Sequence, residues 1–376
     1  MGRAALKRTL VTGANGFIGR NLVAALEQLP NVSVLKFGVE NTCDQLRAFV
    51  AEADFVFHLA GINRPRNVQD FDSGNRGLTE ELLAMLRAAE RPTPVLLSSS
   101  IQAALDNPYG VSKRASEEAV ALYASECGAD VYVYRLPNVF GKWCRPNYNS
   151  VVATWCHHIA HDLPIQVNNP EAELHLVYID DVVAEFLAAW RGEPHRDADG
   201  YCFVPRTYRL NLRQLAETLR GFRASRETLL MPNLSGELEP ALYATYLSHL
   251  PADAFSYPLN RRTDNRGWLA EFIKSGQFGQ VFVSRTKPGV TRGNHWHHTK
   301  VEKFLVVEGQ ASIKLRHLVT GQTVEYPVSG EELRVVDIPP GYTHSITNTG
   351  SGDLLTLFWA DEVFDPARPD TFFLEV

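Results

Sequence analysis

The chain has 376 residues, 45% of them hydrophobic, and at that length one core usually divides, so two domains are expected. A formal net charge of −6 and a pI near 6.1 exclude the dense basic face that nucleic acid or an anionic membrane surface requires. The five cysteines, Cys43, Cys127, Cys144, Cys156 and Cys202, form no close pairs, and neither a leader nor an apolar run of about 20 residues is present, which predicts a cytoplasmic, disulfide-free protein with a small-molecule partner, no nucleic acid and no membrane.

In chain order, apolar runs at residues 10–12, 32–37, 55–59, 95–97 and 131–134 alternate with helical patterns. Strand followed by helix, repeated, predicts a doubly wound α/β domain with a parallel sheet covered on both faces. Residues 231–260 mix Pro, Ser, Leu and Tyr with weak periodicity, and the boundary is placed near Thr245, giving domains 1–245 and 246–376. Beyond Val281 the pattern becomes closely spaced strands of period two, such as residues 313–318, broken by turns at Pro288-Gly289, Gly309, Gly330 and Pro339-Pro340-Gly341. This second domain reads as an antiparallel all-β barrel.

The first strand runs into Gly13-Ala14-Asn15-Gly16-Phe17-Ile18-Gly19. Glycines at this spacing, between a strand and an amphipathic helix, let backbone amides approach a pyrophosphate at a helix N-terminus. Gly13, Asn15, Gly16, Phe17, Ile18 and Gly19 are therefore the expected dinucleotide cradle. At the end of the second strand, where an acid would hold the adenosine ribose, stands Lys36-Phe37-Gly38. A cation there suits a 2′-phosphate, so NADPH is expected over NADH, although a lysine at a strand end is also an ordinary solvated residue.

Tyr109 and Lys113 lie four apart on one face of a helix, and Ser98-Ser99-Ser100 ends the strand before it. A free phenol titrates near 10, so acid or base work near neutrality needs a neighbouring cation, which Lys113 supplies. Ser100 is the hydroxyl expected to polarise a substrate carbonyl. With these features, residues 54–61 (Asp-Phe-Val-Phe-His-Leu-Ala-Gly) and 135–141 (Arg-Leu-Pro-Asn-Val-Phe-Gly) resemble the extended short-chain dehydrogenase/reductase family over about the first 240 residues. The resemblance implies that Tyr109 donates the proton, that Lys113 binds the nicotinamide ribose and depresses the tyrosine pKa, and that the serine holds the reacting oxygen. It also implies a Rossmann fold whose cofactor touches Leu59 and Ala60, and a nucleotide-sugar pocket near Tyr148-Asn149 and Tyr178 to Asp181. His157 and His161 share a helix face, but no further ligand motif completes a metal set around them.

In the barrel, His295 and His297 are two apart and so face one side of a strand, while Glu302 comes from the next strand. With Gly289 and Gly309 the pattern resembles the first cupin signature, and Pro339 to Asn348, carrying His344, resembles the second. His295, His297, Glu302 and His344 are the expected ligands of one divalent metal; zinc is the first choice, and manganese, iron or nickel also suit the donors. Alternation turns His298 away.

Reductase followed by cupin, joined through Asp264-Asn-Arg-Gly-Trp-Leu-Ala-Glu271, resembles the bifunctional capsular polysaccharide enzyme family along the whole chain. That resemblance implies C3 epimerisation of a UDP-2-acetamido-2,6-dideoxy-hexos-4-ulose in the cupin, NADPH reduction at C4 to UDP-2-acetamido-2,6-dideoxy-L-talose on the route to UDP-N-acetyl-L-fucosamine, and a homodimer. Lys303, Tyr342 and His298 lie near the signatures as candidates for the C3 base, and spacing does not separate them. The alternatives are a 4-reductase or NAD-retaining 4-epimerase whose cupin is a structural or dimerisation module, and a non-enzymatic redox sensor, against which the Tyr109/Lys113 pair speaks.

Overall fold

A computed structural model of the chain describes residues 6–376 apart from 65, 66, 68, 260, 265, 266, 271, 272, 274–278, 363 and 364. Of the 264–271 segment, Asn265, Arg266 and Glu271 thus lie outside the described residues. The chain gathers into two compact units. The first takes in the described residues up to Trp143 together with His175–Arg209, and the second Cys144–Leu174 with Leu210–Val376.

The first half runs β1 (Lys7–Thr12), α1 (Phe17–Leu26), β2 (Val32–Phe37), α2 (Cys43–Glu52), β3 (Phe55–His58), the single turn α3 (Gln69–Phe71), α4 (Leu78–Ala88), β4 (Val95–Ser100), α5 (Pro108–Cys127) and β5 (Val131–Leu136). The five strands make one parallel sheet in the order β2-β1-β3-β4-β5, which is the doubly wound sheet expected. Leu10, Val11, Val56, Phe57, Val95 and Leu96 are all fully buried, so neighbours of opposite parity are covered and both sheet faces are packed. Strand order reverses at β1, because the chain steps outward to β2 and then returns to β3 on the other side. In doubly wound sheets the crevice at such a reversal, beyond the carboxyl ends of the strands, is where ligands bind.

There follow β6 (Asn138–Phe140), α6 (Val151–Ala160), β7 (Glu173–Tyr178), α7 (Ile179–Trp190), β8 (Tyr208–Asn211), α8 (Leu212–Thr228) and α9 (Leu238–Ser248). Helices α6, α8 and α9 belong to the second unit, with Phe222 of α8 packed on Tyr243 and Tyr246 of α9 at 5.0 and 6.0 Å. The expected boundary at 245/246 falls inside α9, where Thr245 is fully buried and donates to the Ala241 carbonyl.

The remainder is β9 (Ser256–Pro258), the hairpin β10 (Arg261–Asp264) and β11 (Gly267–Ala270), then β12 (Gln280–Thr286), β13 (Thr291–Trp296), β14 (Glu302–Glu308), β15 (Gln310–His317), β16 (Thr323–Ser329), β17 (Arg334–Ile338), β18 (Tyr342–Asn348), β19 (Leu354–Ala360) and β20 (Phe372–Phe373). These form two five-stranded antiparallel sheets, β12-β19-β14-β17-β9 and β16-β15-β18-β13-β20. The expected period of two is visible in β15, where Ala311, Ile313 and Leu315 are buried. A bulge between Gly293 and His295, with Gly293 and Asn294 both at positive φ, brings His295 directly opposite His344.

Alternation along β14 sends Glu302 and Lys303 to opposite faces. Lys303 reaches fully buried Asp337 of β17 at 2.5 Å and the Tyr257 hydroxyl at 3.1 Å. Asp337 also accepts from Arg226 of α8, whose guanidinium lies 4.5 Å over the Tyr257 ring. Burial alone would lower the Lys303 pKa, but Asp337 outweighs it and holds the ammonium charged. Removing one member of a buried ion group strands the others, at about 3–5 kcal/mol. Asp337→Ala is therefore expected to lose about that much stability in denaturant unfolding of the whole chain, and a loss under about 1 kcal/mol would show the triad to be dispensable.

Candidate functional site

The glycine loop occupies the strand-order reversal between β1 and α1. Gly13 has φ +68°, and a Cβ there would stand 2.8 Å from the Ala60 nitrogen, while a Cβ on Gly19 would stand 2.1 Å from the Gly13 carbonyl oxygen. Only glycine allows so close an approach, and it brings Leu59 and Ala60, at the end of β3, against the cradle. Gly16 caps α1 without a side-chain hydrogen bond, so the first amides of that helix face outward as an anion site. Chain geometry thus fits a dinucleotide pyrophosphate among Gly13, Asn15, Gly16, Phe17, Ile18 and Gly19.

Lys36 is half exposed and paired with Glu27 at 2.6 Å. Sequence reasoning passed over Glu40, whose carboxylate accepts from Asn15 Nδ2 at 2.7 Å and crowds the Cβ position of Gly38. An acid in that place can accept from a ribose diol, the role a lysine cannot fill.

A chain of buried hydrogen bonds leads from the cradle to the turn bearing Tyr109. The Ala60 amide donates to Thr12 Oγ1, which lies 2.8 Å from His58 Nδ1; His58 Nε2 lies 2.9 Å from Thr79 Oγ1, and Thr79 donates to the Asn75 carbonyl. Since the Thr79 proton is committed there, His58 donates through Nε2 and accepts from Thr12 through Nδ1, which requires a neutral ring. Burial, with Lys113 nearby, pushes His58 down to about 3, in agreement. Asn75 then donates to Ser112 Oγ at 2.9 Å, and Ser112 donates to the Tyr109 carbonyl at 2.8 Å. Asn75 sits in a π-helical turn, Asp72–Gly77, and also grips both backbone polar groups of Ile62. Such a turn has no periodicity that sequence reasoning could find.

Tyr109 lies in the first turn of α5, its ring 5.6 Å from Phe71. Asn107 caps the helix by accepting from the Gly110 amide, and Pro108 opens it. Lys113, one turn on, is 8% exposed and donates to the Ser98 carbonyl at 2.9 Å. Burial pushes its ammonium down to about 8, against an opposing pull from Glu117. Each of the three serines has a different use: the Ser98 carbonyl receives Lys113, Ser99 Oγ donates to Glu117 at 2.5 Å, and Ser100 Oγ accepts from the Gln102 amide at 3.2 Å. Ser100 thereby keeps its own O–H to give. The turn that it caps packs so closely on α5 that a Cβ at Gly110 would meet the Gln102 carbonyl at 2.2 Å. Glu117, missed from sequence although its i,i+4 spacing from Lys113 is legible, is also gripped by Arg135, whose Nε donates to Oε1 and Nη2 to Oε2.

Tyr178 packs on Phe140 at 5.4 Å, and Asp181 holds Arg206 and Tyr208, each at 3.3 Å. In the second unit the Arg145 guanidinium lies 5.3 Å over the ring of Tyr148, and Asn149 is exposed. The rings of His157 and His161 lie 4.0 Å apart, tilted by 39°.

Among the described residues, the one grouping of three or more metal-type side chains is His295, His297, Glu302 and His344, with one ligand atom from each within 4.8 Å of the others. Glu302 Oε2 lies 3.2 Å from His297 Nε2 and 3.3 Å from His344 Nε2. Burial would raise the Glu302 pKa, but the His297 and His344 imidazoles beside it win and hold it well below the usual carboxylate range. Burial and the neighbouring rings push His295 down to about 4, and burial lowers His344; for His297 the Glu302 contact overrides burial and raises it. An ionised carboxylate beside largely neutral imidazoles presents lone pairs to one cation, so the donor set fits a divalent metal. His298 packs instead on Trp296 and Phe372, at 4.4 and 5.1 Å. Of the three candidate bases, Lys303 is committed to Asp337 on the far face of β14. Tyr342, buried against Phe255 and His317, has its phenol pushed up to about 12 by burial.

Residues 9–198 match the NAD dependent epimerase/dehydratase family, and residues 262–372 match the polysaccharide biosynthesis C-terminal domain. The chain is 47% identical to a UDP-2-acetamido-2,6-beta-L-arabino-hexul-4-ose reductase of Pseudomonas aeruginosa over 97% of this chain and 98% of that one. Among solved structures, the capsular polysaccharide assembling protein CapF of Staphylococcus aureus superposes with a TM-score of 0.69 at 47% identity, covering 98% of this chain and 100% of that one. The UDP-glucuronic acid 4-epimerase of Bacillus cereus, solved with NAD, shares the fold at 17% identity over 64% of this chain and 98% of its own, with a TM-score of 0.54.

A lysine depressed in the folded state binds fewer protons than the unfolded chain between about pH 8 and its ordinary 10.5. The cost of burying the ammonium is thus complete below pH 8 and is relieved as pH rises toward 10.5. Thermal melts are expected to show the wild type gaining stability relative to Lys113→Met across that window, and a pH-independent difference would contradict the burial of a charged Lys113.

Proposed function

Because this chain belongs to the NAD dependent epimerase/dehydratase family, in the branch that carries a polysaccharide biosynthesis C-terminal domain, we propose that it reduces the C4 ketone of a UDP-2-acetamido-2,6-dideoxy-hexos-4-ulose with NADPH. The product in this reading is UDP-2-acetamido-2,6-dideoxy-L-talose, a surface-polysaccharide precursor, and C3 epimerisation in the C-terminal cupin domain precedes reduction. The observation that carries the reading is the buried ammonium of Lys113 one helical turn after Tyr109, at the carboxyl end of the sheet. The P. aeruginosa relative, matched nearly end to end, supports the substrate class. No helix among the described residues is long and apolar enough to cross a membrane, which agrees with a cytoplasmic enzyme; the homodimer rests on family resemblance.

Gly13, Gly16 and Gly19 would hold the pyrophosphate of a reduced nicotinamide cofactor, which when bound would supply hydride to C4. Tyr109 gives its phenolic proton to the C4 oxygen, so ketone, hydride and proton together make the alcohol, and water later reprotonates the phenolate. Lys113 stabilises that phenolate, and Ser100 holds the oxygen with the O–H it has free to give. In the C-terminal domain His295, His297, Glu302 and His344 would hold a divalent metal, with zinc as the first choice, and such an ion supplies a Lewis acid for an enolate oxygen. The C4 ketone acidifies the C3 proton, so one functional group of the substrate serves both steps.

Incubation of the UDP-4-ketosugar in D₂O, with and without NADPH, reads the two activities separately by mass and NMR. Tyr109→Phe is expected to lower NADPH oxidation by about 10²–10⁴-fold and leave deuterium entry at C3 intact. His295→Ala or His344→Ala is expected to stop deuterium entry while still oxidising NADPH with ketosugar already epimerised. Loss of both activities in every variant would argue against two independent sites. For the cofactor, Lys36→Ala is expected to narrow the ratio of kcat/KM for NADPH over NADH; an unchanged ratio would remove Lys36 from 2′-phosphate recognition and leave Glu40 as the group beside the ribose.

A further inference from the structure

Two of the four clustered side chains, His295 near the end of β13 and His297 just beyond it, lie close together in sequence, and the chain beyond residue 365 returns to that point. Phe373 pairs with His295 and Phe372 with Trp296, and the Leu374 amide donates to the Asn294 carbonyl. Asp370 makes the decisive contacts. Its backbone carbonyl lies 2.5 Å from His297 Nδ1. A carbonyl can only accept, so Nδ1 carries a proton, and a neutral His297 that ligates a metal does so through Nε2, the nitrogen on the Glu302 side.

The carboxylate of the same residue holds the loop that joins His297 to Glu302. Oδ1 accepts from the His298 amide at 2.9 Å, and Oδ2 accepts from the Thr299 amide, the Thr299 hydroxyl and the Lys300 amide at 3.0, 3.0 and 2.9 Å. Lys300 Nζ donates to the Pro369 carbonyl at 2.8 Å, which fastens the peptide preceding Asp370. Asp370 has φ +36°, a conformation uncommon for a residue with a side chain, and these contacts hold it there. Among the described residues Asp370 makes its hydrogen bonds to residues 297–300, on the cluster side of β14.

We propose that Asp370 is the positioning residue of the C-terminal metal centre, its carbonyl fixing the tautomer and ring orientation of His297 and its carboxylate fixing the separation of His297 from Glu302. The inference rests on the metal reading given above. Imidazole ligands are commonly held through their second nitrogen, and loss of that partner typically costs about 10–100-fold in metal affinity.

The test uses the full-length chain loaded with Co(II), whose affinity is read by competition with a chromophoric chelator and whose ligand field is read by visible absorption. Asp370→Ala keeps the carbonyl but frees the 298–300 loop and the peptide that the carboxylate holds in place, and it is expected to weaken Co(II) by about 10-fold or more and to shift or weaken the ligand-field bands. Wild-type affinity together with wild-type bands in Asp370→Ala, with circular dichroism showing a folded chain, would overturn the proposal. Should that variant not fold, Asp370→Gly decides, because it keeps the carbonyl and tolerates positive φ while removing the carboxylate; wild-type affinity there overturns the carboxylate's role, and weakened affinity supports it. A wild-type chain that binds no Co(II) overturns the metal reading itself, a result separable from wild-type binding that the substitutions leave unchanged.

Discussion

Keeping the Lys113 ammonium charged inside the protein, one turn from Tyr109, is the constraint around which the first unit is arranged. Burial works against that charge, and the compensation is a single aimed carbonyl, Ser98, with the carboxylate of Glu117 one turn further on. An ion placed so has one geometry available to it, unlike a surface lysine that samples many. The end of β4 is consequently given over to α5: Ser98, Ser99 and Ser100 each serve a different partner, and Glu117 is itself locked by Arg135. A group held this way has little freedom left to lose.

The same logic explains the buried hydrogen bonds between the cradle and the first turn of α5. His58, Thr12, Thr79, Asn75 and Ser112 would each carry a desolvation cost if left alone, and paired in sequence they satisfy one another. Because a neutral His58 donates at one nitrogen and accepts at the other, the chain has a direction. The loop against Gly13 and the turn holding Tyr109 are tied to one register, which is what hydride transfer between a cofactor and a substrate asks of its scaffold.

In the second unit, β14 divides two kinds of buried charge by alternation. Glu302 faces three imidazoles, an arrangement that leaves lone pairs for a cation, whereas Lys303 faces Asp337, a carboxylate it shares with Arg226. The first is poised to bind and the second is closed. Arg226 also explains why α8 is gathered with the β strands, since its guanidinium meets Asp337 and the Ala254 carbonyl within that unit.

By itself the sequence determined the elements whose signals are local. The strand and helix alternation, the glycine spacing, the Tyr109/Lys113 pair and the His295, His297, Glu302, His344 set are all written in periods of two or of 3.6, or in motifs of fixed length; Tyr109 and Lys113 lie on one helix, and the four metal-type side chains converge, with His297 one residue past the end of β13. Only tertiary structure could decide which groups meet across long stretches of chain. Asp370 is 73 residues from His297, Glu40 is 25 from Asn15, and Arg226 is 111 from Asp337. No local period encodes such pairings, because they depend on strand register, on a bulge at Gly293 and on a π-helical turn at Asn75. The charge state of Lys113 belongs to the same class, because it follows from what is packed against the residue rather than from its neighbours in sequence.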